Sequence, residues 1–449
     1  MKVMRDGRPV TVDVTADGAG LVSHAGSALL AQVADKLGLT RALSLRLAGL
    51  KQRRRGHDPG RVIRDLAVML ADGGECVSDL GAVREQEALF GQVASDSTAF
   101  RVIDRVASEP GLLDALREAH ARARERFWGL HDAPERLTID IDATLITAHS
   151  DKEHAAGNYK GGYGFHPLHA YADQTREALG AILRPGNAGA NTATDHVTVL
   201  DLALAQIPAG YIESLEILVR ADRAGATHEL ADYCRDAQMR FSFGYDLADT
   251  VRQAILETPE DAWVPALDQD GTDRENGEVA EITEHVELTG WPDGSRLIVR
   301  RERPHPGAQL SFTDHDGYRF QAILTDQPDQ HIAVIERRHR QRARVEDRIR
   351  DDKDTGLQKF PFKDFALNEV WLEIVMLAHD LIVWTQALCL DGELAKAEPK
   401  RLRYRLLHIA ARLAFSGRRG KLHLPAAWPW TEALKAAFEK LTALPAAPG

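Results

Sequence analysis

Cysteine is scarce in this 449-residue chain: Cys76, Cys234 and Cys389 lie far apart, with no CxxC or Cys/His spacing. That excludes a disulfide framework and a zinc ribbon or finger, and it suits a reducing compartment. Long apolar runs are missing too, since no stretch of about 18 uncharged apolar residues occurs. The opening MKVMRDGRPVTVDV has no apolar h-region. The expectation is a cytoplasmic protein with no membrane partner. Internal repeats and low-complexity segments are also absent, apart from a short Ala/Pro-rich end.

Net positive charge is absent as well. At −11 the chain has the wrong sign for a protein that simply coats nucleic acid, so any DNA binding must use local basic surfaces. Two are visible. One is an Arg-rich run between Arg337 and Lys353; the other, from Lys400 to Lys421, contains Arg401, Arg405, Arg412, Arg418 and Arg419 and no acidic residue. A charge run is usually a solvated face, but an acid-free run of this length is unusual in an acidic protein.

With 44% apolar residues the chain can bury a sizeable core. Residues 1–130 read as a helical region suited to DNA binding. Asp58-Pro59 starts a capped helix that stops at Gly73-Gly74, and another helix begins near Ser97-Thr98. The KQRRR run at 51–55 fits phosphate contacts or a solvated loop. From Leu137 the pattern turns to strands, LTIDIDATLI, GFHPLHAYAD and ALGAILRP, then a helix near 194–206 and the strand LEILVRAD. Three strands, a helix and a strand is the opening order of an RNase H-like fold. Residues 242–332 carry short β-type runs broken by turns and read as a β-rich insertion that interrupts this sheet. Helical periodicity returns at 333–353 and 366–390. The expected architecture is α/β: by analogy of strand order, an RNase H-like core of mixed sheet and helices in two parts, 131–241 and 333–392, interrupted by the insertion. Helical N- and C-terminal regions flank it, the latter a basic region at 393–449. In that tail Leu402, Leu406, Ile409 and Leu413 share one face of a predicted helix ending at Ser416-Gly417, with Arg401, Arg405 and Arg412 opposite.

Asp140 and Asp142 are two apart in TIDIDAT and so face the same side of a strand, while Ile139 and Ile141 face the other. Asp222 ends LEILVRAD in the same manner. Aspartates at strand ends are often turn formers. The third element is a charged stripe: His339, Arg342, Glu346 and Lys353 are spaced by three, four and seven residues and fall within about 60° of one another on a helix. The bland alternative is an Arg342–Glu346 ion pair worth about 0.2–0.5 kcal/mol. In the functional alternative, Asp142, Asp222 and Glu346 converge. Their mutual repulsion would be relieved by cations, hard oxygen ligands select Mg²⁺ or Mn²⁺, and two such ions suit in-line displacement at phosphorus.

The strand TIDIDAT, GNYKGGYGFHPL, LRPGNAGAN, VRADRAG, HRQRARVEDRIRDDK and the tail RLRYRLLHIAARLAFSGRRGKLHL followed by WPW together resemble the DDE transposases of bacterial insertion sequences. The resemblance is to the group numbered 1380 among insertion-sequence families, within a wider hairpin-forming group with a β-rich insertion in its catalytic domain. It implies that the D-x-T acid is Asp142 with Thr144, leaving Asp140 in a supporting position, and that the second acid is Asp222. The pattern Y-x2-R-x3-E-x6-K falls on His339, Arg342, Glu346 and Lys353, with His339 where the pattern has Tyr. The implied substrate is double-stranded DNA, the terminal inverted repeats of a mobile element and its target, bound by a homodimer at the nucleoid. Competing readings are an inactive DNA-binding derivative or regulator, an RNase H-like nuclease without end joining, and a glycosyltransferase using the DID pair. The last leaves the Arg-rich stripe and basic tail unexplained.

Overall fold

The computed structural model describes residues 1–51, 53, 55–149, 151–303, 317–417 and 419–446. Its helices include α1 (Ser27–Lys36), α2 (Leu39–Arg46), α3 (Pro59–Ala71), α4 (Asp96–Ser108) and α5 (Leu112–Trp128), then α6 (Ala193–Ala205), α7 (His228–Asp236), α8 (Ile332–Arg340), α9 (Arg344–Asp352), α10 (Phe365–Cys389) and α11 (Thr431–Ala443). The main sheet contains β1 (Arg136–Ala143), β2 (Leu168–Ala172), β3 (Ala178–Ile182), β4 (Glu216–Ala221) and β5 (Arg240–Tyr245), followed by β6 (Val264–Leu267), β7 (Asp273–Glu281), β8 (Arg296–Glu302) and β9 (Arg319–Thr325).

These nine strands run in the order β6-β7-β8-β9-β5-β4-β1-β2-β3. β1, β4 and β5 are mutually parallel neighbours, while β2 and β3 fold back antiparallel. Both faces of β1 are covered: Ile139 and Ile141 are buried, and so is Asp140. The residues expected to interrupt the sheet instead lengthen it. β9 pairs antiparallel with β5, Ser242 opposite Thr325, and β8, β7 and β6 continue outward. Apolar runs such as Leu297-Ile298-Val299 are buried on both faces, as suits a strand inside the sheet whose two faces are covered.

The N-terminal helices follow their local signals. Asp58 caps α3 by accepting the Arg61 N–H at 2.9 Å, with Pro59 in the first turn, and Gly73 beyond the helix adopts φ 107°. α10 packs against α1, α3, α4 and β3, joining the helical region to the sheet. By length and composition it is apolar enough to cross a membrane, but it is mostly buried within the protein. Its charges meet partners there: Glu373 lies 3.1 Å from Arg117, and Asp380 lies 2.7 Å from His120 and 2.5 Å from Arg124. It is a core helix.

Two helical expectations need correction. The single helix over 333–353 is broken into α8 and α9 by a 3-10 turn at Gln341–Ala343, and Lys353 opens an irregular turn at Lys353–Leu357. The guanidinium of Arg220, reaching up from the sheet, takes the carbonyl of Arg338, and a side chain entering the backbone ladder is a recognised cause of such breaks. At the far end Gly356 has φ 107°, and a Cβ there would stand 2.8 Å from Leu70. The tail is not one amphipathic helix either. It is helical only to Leu407; Ala411–Ser416 and Arg419–His423 then form an antiparallel hairpin, with Gly417 at φ 61° in its turn and Val22 pairing with Ala411. Arg405 and Arg412 therefore lie on different elements.

Candidate active site

In the parallel register Asp140 stands beside Arg220 and Ile141 beside Ala221, so Asp142 and Asp222 follow side by side at the C-terminal ends of neighbouring strands. Adjacent strands are about 4.8 Å apart, within easy electrostatic reach. Asp222 does form a turn: its Oδ1 accepts the Ala224 N–H at 2.9 Å. Asp142 Oδ1 accepts the N–H of Ala143 at 2.8 Å, and its Oδ2 faces Arg342 Nη1 at 3.3 Å. Burial pushes the Asp142 carboxyl up to about 6; Arg342 opposes the shift, and the carboxylates of Asp222 and Glu346 add to it. Asp142 thus senses both of the other acids named from sequence. Glu346 itself is exposed, in the first turn of α9.

An ion network centred on a buried arginine helps tie α9 to the sheet. Arg220 is fully buried and donates to both oxygens of Asp140 at 2.7 Å, while its Nη2 lies 3.0 Å from Asp173. Asp173 in turn meets Arg344 of α9 at 3.2 Å. Asp140 is therefore not aimed at the open cleft: it anchors Arg220. Burial raises its carboxyl to about 6 despite Arg220. Sequence reading overlooked Arg220 and Asp173. The available signal was a charge at 220 inside an otherwise apolar strand, two residues before Asp222 and hence on its face.

The other stripe residues separate. His339 turns to the sheet, its Nδ1 2.9 Å from Ser242 Oγ; burial first, then Arg342, Arg220 and Arg300, pull it down to about 3, so the ring is neutral. Arg342 remains beside Asp142. The Lys353 ammonium is pulled down, first by burial and then by the like charge of Lys160. Thr144 is buried, and its N–H donates to the Pro167 carbonyl at 3.1 Å. A residue not singled out from sequence, His169, is the cross-strand partner of Asp142. It is wholly buried and held at about 4 by desolvation, with neither ring nitrogen hydrogen-bonded among the described residues.

At the end of α9, Asp352 is gripped by the Tyr171 hydroxyl and by His379 Nδ1 at 2.5 Å, while His379 Nε2 donates to the Arg176 carbonyl at 2.8 Å. With acceptors at both nitrogens, and despite burial, His379 is raised from 6.5 to about 9. A histidine raised on folding contributes stability that is complete below the unfolded value and lost as pH climbs through the folded one. Thermal melts should therefore show the protein losing stability between pH 6.5 and about 9, and His379→Gln should flatten that slope. An equally steep decline in the variant would refute the assignment.

A cavity of about 550 Å³ opens beside the start of α9, lined by Arg274, Arg337, Arg340 and Arg344 together with Asp268 and Asp270. In the tail Arg401, Arg412 and Arg419 are exposed. Arg405 is not free of acids as expected, since it lies 3.3 Å from Glu393 and stacks 4.9 Å over the Trp430 ring. Arg418 lies outside the described residues.

Among solved structures the chain is similar to the piggyBac transposase in its synaptic complex with hairpin DNA, with a TM-score of 0.41 and 10% identity over 85% of this chain and 80% of that one. No curated protein matches it. The model of the family "Transposase DDE domain group 1" matches residues 4–446, nearly the whole chain, and the protein belongs to that family.

Proposed function

We propose that the protein is a DNA transposase that cleaves and rejoins the terminal inverted repeats of an insertion sequence, with Asp142, Asp222 and Glu346 as its catalytic acids. The observation that carries this reading is the register that sets Asp142 beside Asp222 at the ends of β1 and β4, with Glu346 of α9 acting on the same buried Asp142 carboxyl. The strand order β3-β2-β1-β4-β5 supports an RNase H-like core, and the transposase family membership supports the substrate class.

The donor set fits hard divalent cations: a buried carboxylate already raised by two neighbouring carboxylates gains most from a metal that neutralises all three. Mg²⁺ or Mn²⁺, as a pair held by these acids, would supply activation of the attacking oxygen and stabilisation of the leaving one. The residues contribute positioning. Arg342 neutralises Asp142 before DNA arrives and can then turn to a phosphate beside the scissile bond, while Lys353 and Lys160 form a second phosphate contact. His339, neutral and fixed on Ser242, supports the helix break that presents Arg342. The arginine-lined cavity and the exposed Arg401, Arg412 and Arg419 would carry flanking DNA, with Arg405 and Arg418 as further tail contacts. Two DNA ends call for a homodimer on DNA, acting at the nucleoid in the cytoplasm.

Incubation with Mg²⁺ and duplexes bearing the inverted repeats that flank the coding sequence should give nicks at the element ends and joined target products. End-specific binding without any cleavage would identify an inactive derivative instead, and cleavage without joining a nuclease. Within this reading Arg342→Ala should slow cleavage of intact ends by about 10²-fold, the cost of a small misplacement of the reacting strand, and slow pre-cut ends less. Circular dichroism checks folding. Equal losses on both substrates would remove the positioning role.

A further inference from the structure

A second cluster of metal-ligating side chains lies away from these acids. Asp72 follows the last residue of α3 and is only 7% exposed. The C-terminal end of a helix disfavours negative charge, and a buried carboxylate needs a compensating cation. Arg403 is nearby, but its hydrogen bonds go to the carbonyls of Ala71 at 2.9 Å, Leu70 at 3.4 Å and Asp354. The groups facing the carboxylate are imidazoles and a hydroxyl. His24 Nδ1 is 2.5 Å from Oδ2, His408 Nε2 is 3.2 Å from Oδ1, and Ser27 Oγ donates to Oδ1.

The two rings stand 4.2 Å apart, centroid to centroid. Two imidazolium ions at that separation repel each other, so without a metal at most one protonated ring offsets Asp72. One divalent ion bound by two neutral rings and the carboxylate would supply that compensation through both rings at once, with no repulsion between them. One ligand atom from each of the three residues lies within 4.8 Å of the others, and both imidazoles reach solvent, which leaves room for water to complete a coordination shell. The hydrogen bond of 2.9 Å between His408 Nε2 and the Asp72 carbonyl would give way to the metal bond.

We propose that His24, Asp72 and His408 form a binding site for one borderline divalent transition metal of the Zn²⁺ class. The ion clasps three distant parts of the chain. The segment before α1 already crosses the C-terminal turn there, through Ala25 N–H to Ile409 O at 3.0 Å and Gly26 N–H to Leu407 O at 3.1 Å. Gly26 permits that approach, since a Cβ would stand 2.0 Å from the Leu406 carbonyl oxygen. The donor chemistry separates this site from the all-oxygen acids: imidazole favours Zn²⁺, Co²⁺ or Ni²⁺ and discriminates against Mg²⁺.

The test uses the full chain with Co²⁺ as a spectroscopic probe and Zn²⁺ as a competitor, in excess Mg²⁺. The wild type should bind one Co²⁺ with a visible d–d band that Zn²⁺ abolishes, and Zn²⁺ should raise its melting temperature. A variant with Asp142→Asn, Asp222→Asn and Glu346→Gln should keep the band, so the result is independent of the transposase reading. His408→Ala, at the more exposed ring, and His24→Gln should each lose the band and the thermal shift while remaining folded. A wild type without the band, or a band that survives both histidine substitutions, overturns the proposal.

Discussion

Asp142→Asn, Asp222→Asn and Glu346→Gln are each expected to abolish Mg²⁺-dependent strand cleavage while leaving binding to DNA ends in place. The loss should exceed the 10- to 100-fold typical of residues that merely support a metal ligand, because in the proposed site each change replaces a charged metal-binding carboxylate by a neutral amide. The reason to expect undiminished folding differs by position. Glu346 is exposed, so its amide analogue costs little. At Asp142, where burial and neighbouring carboxylates already press the carboxyl towards its neutral form, the amide relieves repulsion. Asp222→Asn keeps an acceptor for the Ala224 N–H and so preserves the turn after β4. The three variants should melt at or slightly above the wild-type temperature and shift DNA in a gel with similar affinity. Substantial metal-dependent nicking by any one of them would remove that residue from the site, and a loss of activity that merely tracks lost folded protein would remove the catalytic explanation altogether.

Where the sequence was informative, local physics set the outcome. TIDIDAT alternates strictly, so Asp142 could be assigned to a strand end before any tertiary structure was known. The Asp58-Pro59 start of α3 and the apolar length of α10 also depend on neighbours a few residues away. The misreadings share the opposite cause. Leu402, Leu406, Ile409 and Leu413 do recur at helical spacing, but RLAFS pairs with Arg419–His423 and with a two-residue strand at Leu21–Val22, nearly four hundred positions earlier. Period alone cannot weigh such a partner. The uninterrupted helix over 333–353 was misjudged in the same way: its 3-10 turn follows a guanidinium donated from β4. The residues after Tyr245 looked like an interruption because their pairing partner, β5, precedes them by about eighty residues. Beyond the charge at 220, the Arg220 network was hard to read for a related reason, since its members come from β1, β4, the end of β2 and α9.

That network makes the second large prediction. Arg220→Ala should destabilise the protein by about 3–5 kcal/mol, the usual cost of stranding a buried charge by deleting its partner. Two carboxylates are left behind: Asp140, with no other ion-pair partner among the described residues, and Asp173, which keeps only Arg344. The carbonyl of Arg338 also loses its donor. Adding Asp140→Asn to Arg220→Met should recover a good part of the loss, because removing both charges avoids the desolvation cost that the single change exposes. Urea denaturation of the single and double variants would measure this, provided the slope with denaturant stays constant. The same pair separates stability from function. In the double variant α9 is no longer tied to β1 and β4 through Arg220, so cleavage should stay depressed even where the protein is fully folded, with DNA binding near normal. If the double variant recovers stability and full cleavage together, the network serves the fold alone and Glu346 reaches Asp142 without its help. If Arg220→Ala costs less than about 1 kcal/mol, the buried ion pairs do not hold α9 on the sheet at all.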